Sequence, residues 1–289
     1  MEIVRTIDGV RGRVRAARER GDSVGLVPTM GYLHEGHLSL IRRARDENDL
    51  VVVSIFVNPL QFGQGEDFER YPRDLDRDAG LAEGAGADII FAPGVEEMYP
   101  QPPLTHVDVD RLTSGLCGAS RPGHFRGVAT VVTKLFNIVT PDHAYFGQKD
   151  AQQVVVIKRM VADLNIDTRI VTLPIVREAD GLAMSSRNVY LGPEGRVAAL
   201  ALSRSLGIAR RLIEGGERDA SRVKEVMAAE VSAAPGTRID YIALVSGDDL
   251  SPLERLSGEV LIALAVFIDG VRLIDNLLLR VDGDTVREA

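Results

Sequence analysis

The chain has 289 residues, and its 42 acidic against 34 basic side chains give a formal net charge of −8. Proteins that bind nucleic acid usually present a basic face, so we expect no nucleic-acid partner. The single cysteine, Cys117, excludes an internal disulfide framework and is typical of a reducing compartment. The sequence has neither a run of about 18 apolar residues nor the apolar core of a signal peptide. It therefore predicts a cytoplasmic protein with no membrane partner.

The first two thirds of the chain alternate predicted strands with predicted helices. An apolar run predicts a strand at 24–28, and the continuous apolar run at 50–57 is typical of a strand buried on both faces. Further strands are predicted at 88–92, 143–146 and 168–173, and helices at 36–45, 74–86, 127–140 and 150–164. This alternation predicts an α/β fold with a doubly wound parallel (Rossmann-like) sheet, whose ligands bind where the strands end.

The character of the sequence changes between residues 176 and 188. Two helices rich in Ala, Arg and Leu are predicted at 193–213 and 220–233, followed by strands at 238–245, 260–268 and 271–279. The dipeptide Asp269-Gly270 between the last two strands predicts a two-residue hairpin turn. We therefore expect a Rossmann-like domain at 1–180 and a smaller C-terminal α+β domain at 181–289.

Two histidines stand where the strand at 24–28 gives way to a helix. His34 and His37 are three residues apart, which places both on one face of a helix N-terminus. That end carries unpaired N–H groups and partial positive charge, so it attracts phosphate. A metal site and simple helix capping are alternatives, but the zinc-protease pattern needs a four-residue spacing. Gly36 argues against capping alone, because a helical glycine costs up to about 1 kcal/mol relative to alanine.

Three other segments lie where an α/β sheet would present ligand-binding residues, at 58–62, 146–153 and 184–188. Each has a plainer alternative when taken alone. Gln61 and Gln153 could be exposed amides, Lys149 and Asp150 a surface ion pair, and 184–188 a linker. Neither a GxxxxGK[ST] phosphate loop nor a GxGxxG dinucleotide fingerprint is present, which disfavours a kinase or a dehydrogenase.

Taken in order, these segments resemble the pantothenate synthetase (pantoate–β-alanine ligase) family of the HIGH-type nucleotidyltransferase superfamily. The His-x-Gly-His element alone is shared with other nucleotidyltransferases, whereas the ordered set is specific to this family. The matching motifs are Pro-Thr-Met-Gly-x-Leu-His-x-Gly-His at 28–37, Phe-Val-Asn-Pro-x-Gln-Phe at 56–62, Tyr-Pro-Arg at 71–73, Arg-Pro-Gly-His-Phe-Arg-Gly-Val at 121–128, Phe-Gly-x-Lys-Asp-x-Gln-Gln at 146–153 and Met-Ser-Ser-Arg-Asn at 184–188.

The resemblance implies an ATP-dependent reaction in two steps. The carboxylate of (R)-pantoate attacks ATP to give a pantoyl adenylate and pyrophosphate, and the amine of β-alanine then displaces AMP to form pantothenate. ATP would be a substrate and Mg²⁺ its accompanying ion, with no metal ligand assigned in the chain. The resemblance also implies that the smaller domain acts as a lid that shields the adenylate from water, and that the protein is a homodimer.

The resemblance assigns four catalytic residues and a larger ATP-binding set. His37 would be the proton donor, and His34, Lys149 and Arg187 would complete the catalytic group. Gly147 and Asp150 in the larger set would meet the ribose. The whole ATP-binding set comprises Met30, Gly31, Tyr32, Leu33, His34, Glu35, Gly36, His37, Gly147, Gln148, Lys149, Asp150, Val176, Met184, Ser185, Ser186 and Arg187.

Two glutamines would bind the acid substrate. The resemblance places Gln61 and Gln153 on pantoate, and Gln61 also on β-alanine. Amides suit a substrate with two hydroxyls and a carboxylate, since each amide both donates and accepts hydrogen bonds. Asn58 would lie near the phosphates or the metal. The motif at 121–128 contains Arg121, His124 and Arg126, for which the sequence assigns no role.

Two other functions compete with the ligase. A simple adenylyltransferase acting on a phosphorylated substrate would need a cationic pocket for that phosphate, whereas this chain offers Gln61 and Gln153. A non-catalytic nucleotide-binding module would not need both the His34/His37 turn and the Ser185-Ser186-Arg187 segment. The residues therefore favour an acid–amine ligase.

Overall fold

The computed structural model describes residues 1–288, which form two compact units. The first unit contains residues 1–113, 121–148 and 156–176. The second contains residues 114–120 and 149–155 and the chain from Arg177 onward. Two short segments from the first part of the sequence thus belong to the second unit. The division at 180/181 and the role of the second unit as a lid stay predictions.

The secondary structure follows the predicted alternation. The strands are β1 (Glu2–Val4), β2 (Val24–Thr29), β3 (Leu50–Ile55), β4 (Ile89–Phe91), β5 (His143–Gly147), β6 (Arg169–Leu173), β7 (Thr237–Ser246), β8 (Gly258–Ile268), β9 (Val271–Asp282) and β10 (Thr285–Glu288). The helices are α1 (Ile7–Glu19), α2 (Glu35–Glu47), α3 (Leu75–Gly84), α4 (Val95–Met98), α5 (Cys117–Ser120), α6 (His124–Val139), α7 (Ala151–Asp163), α8 (Pro193–Glu214) and α9 (Ala220–Ser232). Single 3₁₀ turns lie at Pro59–Gln61, Gln148–Asp150 and Ser186–Tyr190.

The first unit is built on a parallel sheet in the order β1-β4-β3-β2-β5-β6. From β2 the chain moves outward in one direction through β3 and β4 and then returns to the other side of β2 through β5. The strand order therefore reverses between β2 and β5, and open α/β sheets bind ligands outside the carboxyl ends of the strands at such a reversal. The predicted Rossmann-like fold is confirmed.

Burial of both sheet faces explains the apolar run of β3. Val51, Val52 and Val53 are fully buried, as expected when helices cover both sides of a parallel sheet. The amphipathic helix α2 packs Ile41 and Ala44 into this core. The strand ends at Ile55, two residues before the predicted end.

The second unit contains an antiparallel sheet in the order β10-β9-β8-β7. Asp269 and Gly270 join β8 to β9 with φ values of 49° and 85°, the positive pair that a type I′ hairpin turn requires. Ile268 pairs with Val271 across this turn, so the predicted hairpin is confirmed. Helices α8 and α9 bury their apolar faces on the same sheet. Within residues 1–288, no helix is both long enough and apolar enough to cross a membrane.

Helix α6 begins at His124, three residues before the predicted start at Gly127. The sequence suggested a helix boundary at this glycine, but the glycine lies inside the first turn. Its conformation is ordinary, and close packing explains its presence: a Cβ there would lie 2.2 Å from the carbonyl oxygen of Leu60 and 2.6 Å from the nitrogen of Gln61. Gly127 therefore lets α6 approach the backbone of the turn that carries Gln61.

We predict that Gly127→Ala destabilises the first unit, because the added methyl overlaps backbone atoms that cannot rotate away. The expected loss in the free energy of unfolding is about 1–3 kcal/mol, typical of overpacking. Gly12 is the matched control, since it lies exposed in α1 with no described heavy atom within 4 Å of the position that an added methyl would take. Gly12→Ala should leave stability unchanged or raise it by up to about 1 kcal/mol. Urea denaturation measures both, and equal free energies for the two variants would contradict the close-approach explanation.

Candidate active site

The turn at 30–34, which follows β2, is held by the buried carboxylate of Asp78. Gly31 and Tyr32 have φ values of 84° and 50°, and this left-handed stretch turns the N–H groups of Tyr32 and Leu33 toward α3. Asp78 accepts both N–H groups, at 2.6 and 2.7 Å. Burial raises the pKa of Asp78 above its ordinary value, although the two N–H donors and Arg77 oppose the shift. A polar side chain on α3 therefore fixes the loop that leads into α2.

His34 and His37 lie together at the start of α2. Their ring centroids are 4.0 Å apart and the ring planes are inclined by 31°. The backbone N–H of His34 donates to Nδ1 of His37 at 3.3 Å. A backbone N–H can only donate, so Nδ1 must accept, and the neutral ring then carries its proton on Nε2. The structure thus brings the two predicted imidazoles together and assigns the tautomer of His37.

Other members of the predicted ATP-binding stretch have different surroundings. Leu33 is fully buried in the core beneath the turn. Glu35 is exposed and forms an ion pair with Arg42 on the outer surface of α2. The pKa of Glu35 is held below its ordinary value by the hydrogen bond from Arg42. Its side chain is therefore engaged by its own helix, so any contact with a nucleotide would be made by its backbone.

Gln61 lies on the 3₁₀ turn after β3, with 9% of the residue exposed. Its side-chain oxygen accepts from Asn58 at 3.2 Å, and its amide nitrogen donates to the sulfur of Met30 at 3.0 Å. Thioether sulfur is a weak acceptor, so the amide can exchange this contact for a stronger one with a ligand. The structure therefore brings the ends of β2 and β3 together through Gln61 and Met30.

Asn58 holds this turn through hydrogen bonds to both its side-chain oxygen and its side-chain nitrogen. Its oxygen accepts from the Tyr99 hydroxyl at 2.9 Å and the Leu60 N–H at 3.3 Å. Its nitrogen donates to the side chain of Gln61 and, at 3.1 Å, to the carbonyl of Gly127. Burial raises the pKa of Tyr99 to about 12, so its hydroxyl remains a donor at neutral pH. Asn58 therefore supports the turn, and its expected position near phosphates stays a prediction.

β5 lies beside β2 in the sheet of the first unit, so its end lies across from the end of β2 at the point where the strand order reverses. Gly147 closes the strand, and no described heavy atom lies within 4 Å of the position that a Cβ would occupy. Neither packing nor backbone conformation within the described chain requires a glycine here. Gln148 follows in a 3₁₀ turn, and Val176 is the last residue of the first unit.

In the second unit, the backbone of Lys149 is fixed while its ammonium group is left for a ligand. The side chain of Asn276, buried in β9, donates to the Lys149 carbonyl at 2.9 Å. The neighbouring Asp275 accepts from Arg177 at 2.7 and 3.0 Å. Burial raises the pKa of Asp275, against the effect of Arg177. Within residues 1–288, the Lys149 ammonium donates no hydrogen bond and forms no ion pair, so it is available to a ligand.

Gln152 and Gln153 are adjacent on α7 but have different partners. Gln152 is buried, accepts from the N–H of Cys117 at 3.0 Å and donates to the carbonyl of Gly115 at 2.9 Å. Gln153 is only partly buried, and its amide forms no hydrogen bond with the described part of the chain. Gln152 therefore has a structural role in holding residues 115–117, which leaves Gln153 as the glutamine able to bind a substrate.

The segment at 184–188 forms a short turn that is held through Asn188 by the ion pair between Glu178 and Arg196. Ser185 accepts the N–H of Arg187 at 3.2 Å, and Ser186 is buried at the start of the 3₁₀ turn. Asn188 donates to Glu178 at 2.8 Å. Glu178 in turn accepts from Arg196, which holds the pKa of Glu178 below its ordinary value. The predicted segment is therefore an anchored turn and not a loose linker.

Comparison with known proteins shows which family the chain belongs to. The family model described as pantoate-beta-alanine ligase matches residues 2–278. The chain belongs to the pantoate–β-alanine ligase family. Members of this family condense (R)-pantoate with β-alanine through a pantoyl adenylate, using ATP and releasing AMP and pyrophosphate. The predicted family, enzyme class and reaction are confirmed.

Curated and solved members of the pantoate–β-alanine ligase family resemble the chain over nearly its whole length. Pantothenate synthetase from Moorella thermoacetica is 63% identical over 282 residues, covering 98% of this chain and all of that protein. The crystal structure of the Thermus thermophilus enzyme has a TM-score of 0.91 and 49% identity, over 96% of this chain and 99% of that one. The Francisella tularensis ligase, complexed with beta-gamma ATP and β-alanine, has a TM-score of 0.80 and 35% identity, over 96% and 97%.

Sequence reasoning missed two residues that hold predicted site residues in place, Asp78 in the first unit and Asn276 in the second. Neither belongs to the quoted motifs. Asp78 lies among four other charged residues at 74–83, where a buried carboxylate cannot be told from exposed ones. Asn276 carries a weak signal, because Asp275-Asn276 interrupts the apolar run at 273–279. Polar residues at such positions are buried at a cost unless a partner is present.

We predict that Asp78→Ala loosens the turn at 30–34, because the N–H groups of Tyr32 and Leu33 lose their acceptor. An unsatisfied buried donor costs about 1–3 kcal/mol, and both amides should exchange their hydrogens faster than in the parent protein. Hydrogen exchange read by NMR measures this. Asp76→Ala on the exposed face of the same helix is the control and should leave both amides unchanged. Unaltered exchange in Asp78→Ala would show that the carboxylate does not hold the turn.

Proposed function

We propose that the chain binds ATP through residues 30–37, residues 147–150, Val176 and the segment at 184–187. On this proposal, Lys149, Arg187, His34 and His37 stabilise the transfer of the adenylyl group to pantoate. The observation that carries the proposal is the Lys149 ammonium, which has no ion pair in residues 1–288 although its backbone is pinned by Asn276. A cation that no carboxylate of the chain neutralises, on a backbone that is held in place, can stabilise developing negative charge.

The first step brings negatively charged groups together. A carboxylate oxygen of pantoate forms a bond to the α-phosphorus of ATP, and the bond from that phosphorus to the bridging oxygen of the pyrophosphate breaks. Negative charge grows on the leaving pyrophosphate, so positioned cations and N–H donors supply most of the catalysis. The N-terminus of α2 contributes oriented N–H groups to the same anion.

His37 would donate to the leaving pyrophosphate through Nε2. Support comes from the bond between the His34 N–H and Nδ1 of His37, since this bond requires Nδ1 to be unprotonated. A ring protonated on both nitrogens would lose that bond. The neutral ring with its proton on Nε2 can therefore give a hydrogen bond to a phosphate oxygen without leaving its place at the helix start.

Mg²⁺ would enter with the triphosphate as part of the MgATP substrate. Mg²⁺ in phosphate-transfer sites is commonly held by substrate phosphates, water and one or two carboxylates. Residues 1–288 contain no group of three or more His, Cys, Asp or Glu side chains placed to hold a metal ion. The donor set of the chain thus suits an ion that the nucleotide itself carries. The homodimer and the cytoplasmic location stay predictions.

In the second step the amine of β-alanine attacks the acyl carbon of the adenylate. A carbon–nitrogen bond forms, the bond to the adenylate oxygen breaks, and AMP leaves while the amine nitrogen loses a proton. Gln61 and Gln153 would hold the pantoyl group, and Gln61 would also contact β-alanine. The two amides differ in their surroundings, because Gln61 has weak protein partners and Gln153 has none in the described chain.

The overall reaction is tested by product analysis with MgATP, pantoate and β-alanine. The proposal predicts AMP and pantothenate in equal amounts, with formation of both dependent on both acids. ADP with inorganic phosphate in place of AMP would indicate an acyl phosphate and contradict the proposal.

We predict that Lys149→Ala slows formation of the adenylate by at least about 100-fold, the range found when a group stabilising transition-state charge is removed. Single-turnover release of pyrophosphate from ATP and pantoate measures this step. Lys158→Ala removes an exposed lysine two turns along α7 and should keep the parent rate. A Lys149→Ala rate close to that of Lys158→Ala would exclude the role of Lys149.

We also predict opposite phenotypes for the two adjacent glutamines. Gln153→Ala should raise the KM for pantoate by about 10-fold or more, with the KM for ATP little changed, because only uniform binding of the acid is lost. Gln152→Ala should instead lower the free energy of unfolding by about 1–3 kcal/mol, because it leaves the buried N–H of Cys117 without its acceptor. Steady-state kinetics and urea denaturation separate the two, and identical phenotypes would refute the assignment.

A further inference from the structure

The carbonyl oxygen of Gln61 is contacted by two side chains, one from the first residue of α6 and one from the segment just before it. His124 approaches it through Nδ1 at 2.8 Å, and Arg121 through Nη2 at 3.3 Å. A third contact joins the two side chains, since Nη1 of Arg121 lies 3.1 Å from Nε2 of His124. The turn carrying Gln61 is therefore held by its backbone as well as by Asn58.

Donor and acceptor rules fix the state of His124. A carbonyl oxygen can only accept, so Nδ1 must carry a proton. A guanidinium can only donate, so Nε2 must accept. Both conditions hold only for the neutral ring with its proton on Nδ1. Both nitrogens of His124 are then occupied by protein groups, and neither is left to act as a base toward a substrate.

Arg121 is itself fixed by a carboxylate. Its Nε and Nη2 donate to Glu66 at 2.7 and 2.6 Å, and only 15% of the Arg121 side chain is exposed. Burial alone would raise the pKa of Glu66, but the Arg121 guanidinium holds it below its ordinary value. The chain of contacts therefore runs from Glu66 through Arg121 and His124 to the carbonyl of Gln61, and the two charges in it are paired with each other.

We infer that Arg121 and His124 are positioning residues for the pantoate site, acting through the Gln61 backbone. The inference rests on the proposed role of the Gln61 side chain. That side chain is held by one 3.2 Å hydrogen bond and a weak sulfur contact. The position of the side chain therefore depends on how firmly the backbone of Gln61 is held. Displacement of a substrate-positioning group by about 1 Å can cost about 100-fold in rate.

Steady-state kinetics in His124 variants test the inference. His124→Ala should raise the KM for pantoate by about 10-fold or more and change the KM for ATP by less than about twofold. His124→Asn should recover most of the loss, because an asparagine N–H can take the place of Nδ1–H. Arg126→Ala is the control, since Arg126 leaves the same helix turn toward Asp108 and is exposed.

A double-mutant cycle with Gln61→Ala separates positioning from general destabilisation. If His124 acts through Gln61, adding His124→Ala to Gln61→Ala should raise the pantoate KM no further. Additive effects, or equal increases in the KM values for pantoate and ATP, would overturn the inference. If His124→Ala does not fold, Arg121→Lys takes its place in the cycle. A lysine can keep the ion pair with Glu66, but it lacks the forked guanidinium that also contacts His124 and the Gln61 carbonyl.

The same cycle distinguishes failure of the inference from failure of the proposed function. An unchanged pantoate KM in Gln61→Ala would remove the role of Gln61 itself and, with it, any positioning role. A raised pantoate KM in Gln61→Ala with parent kinetics in His124→Ala would overturn the inference alone.

Discussion

A parallel strand loses its hydrogen-bond partners where it leaves the sheet, and this constraint shapes the turns that carry His34, His37 and Gln61. The turn after β2 carries two N–H groups into the interior, and the Asp78 carboxylate accepts both at 2.6 and 2.7 Å. Buried backbone groups are rarely left unpaired because each unpaired group costs more than most single contacts return. A carboxylate on a neighbouring helix is thus a condition for placing His34 and His37 where they lie.

The same solution recurs at the other turns with different side chains. Asn58 uses its whole amide to hold the turn of Gln61, and Asn276 holds the carbonyl of Lys149. In each case the supporting asparagine forms its hydrogen bonds within the protein. The side chain of Gln61 keeps only weak contacts, and the Lys149 ammonium has no hydrogen bond or ion pair within residues 1–288. This division lets a site be rigid and still have donors to offer, which preorganised electrostatic catalysis requires.

The sequence predicted the parallel sheet and the hairpin at Asp269-Gly270 because both depend on local patterns, namely apolar runs of strand length and a dipeptide that tolerates positive φ. It did not predict the start of α6, since Gly127 serves packing against Leu60 that only the folded chain reveals. The motif residues were found through family resemblance, whereas the roles of Arg121 and His124 depend on a contact across about 60 positions. Gln152 and Gln153 are indistinguishable as letters and differ only in what folding brings beside them.

The proposed enzyme activates pantoate as an acyl adenylate before β-alanine takes part. Isotope exchange tests this most directly, with labelled pyrophosphate, MgATP and pantoate and without β-alanine. Label should enter ATP at a rate that depends on pantoate, because reversal of the first step re-forms ATP. Absence of exchange with pantoate alone, together with exchange once β-alanine is added, would contradict it.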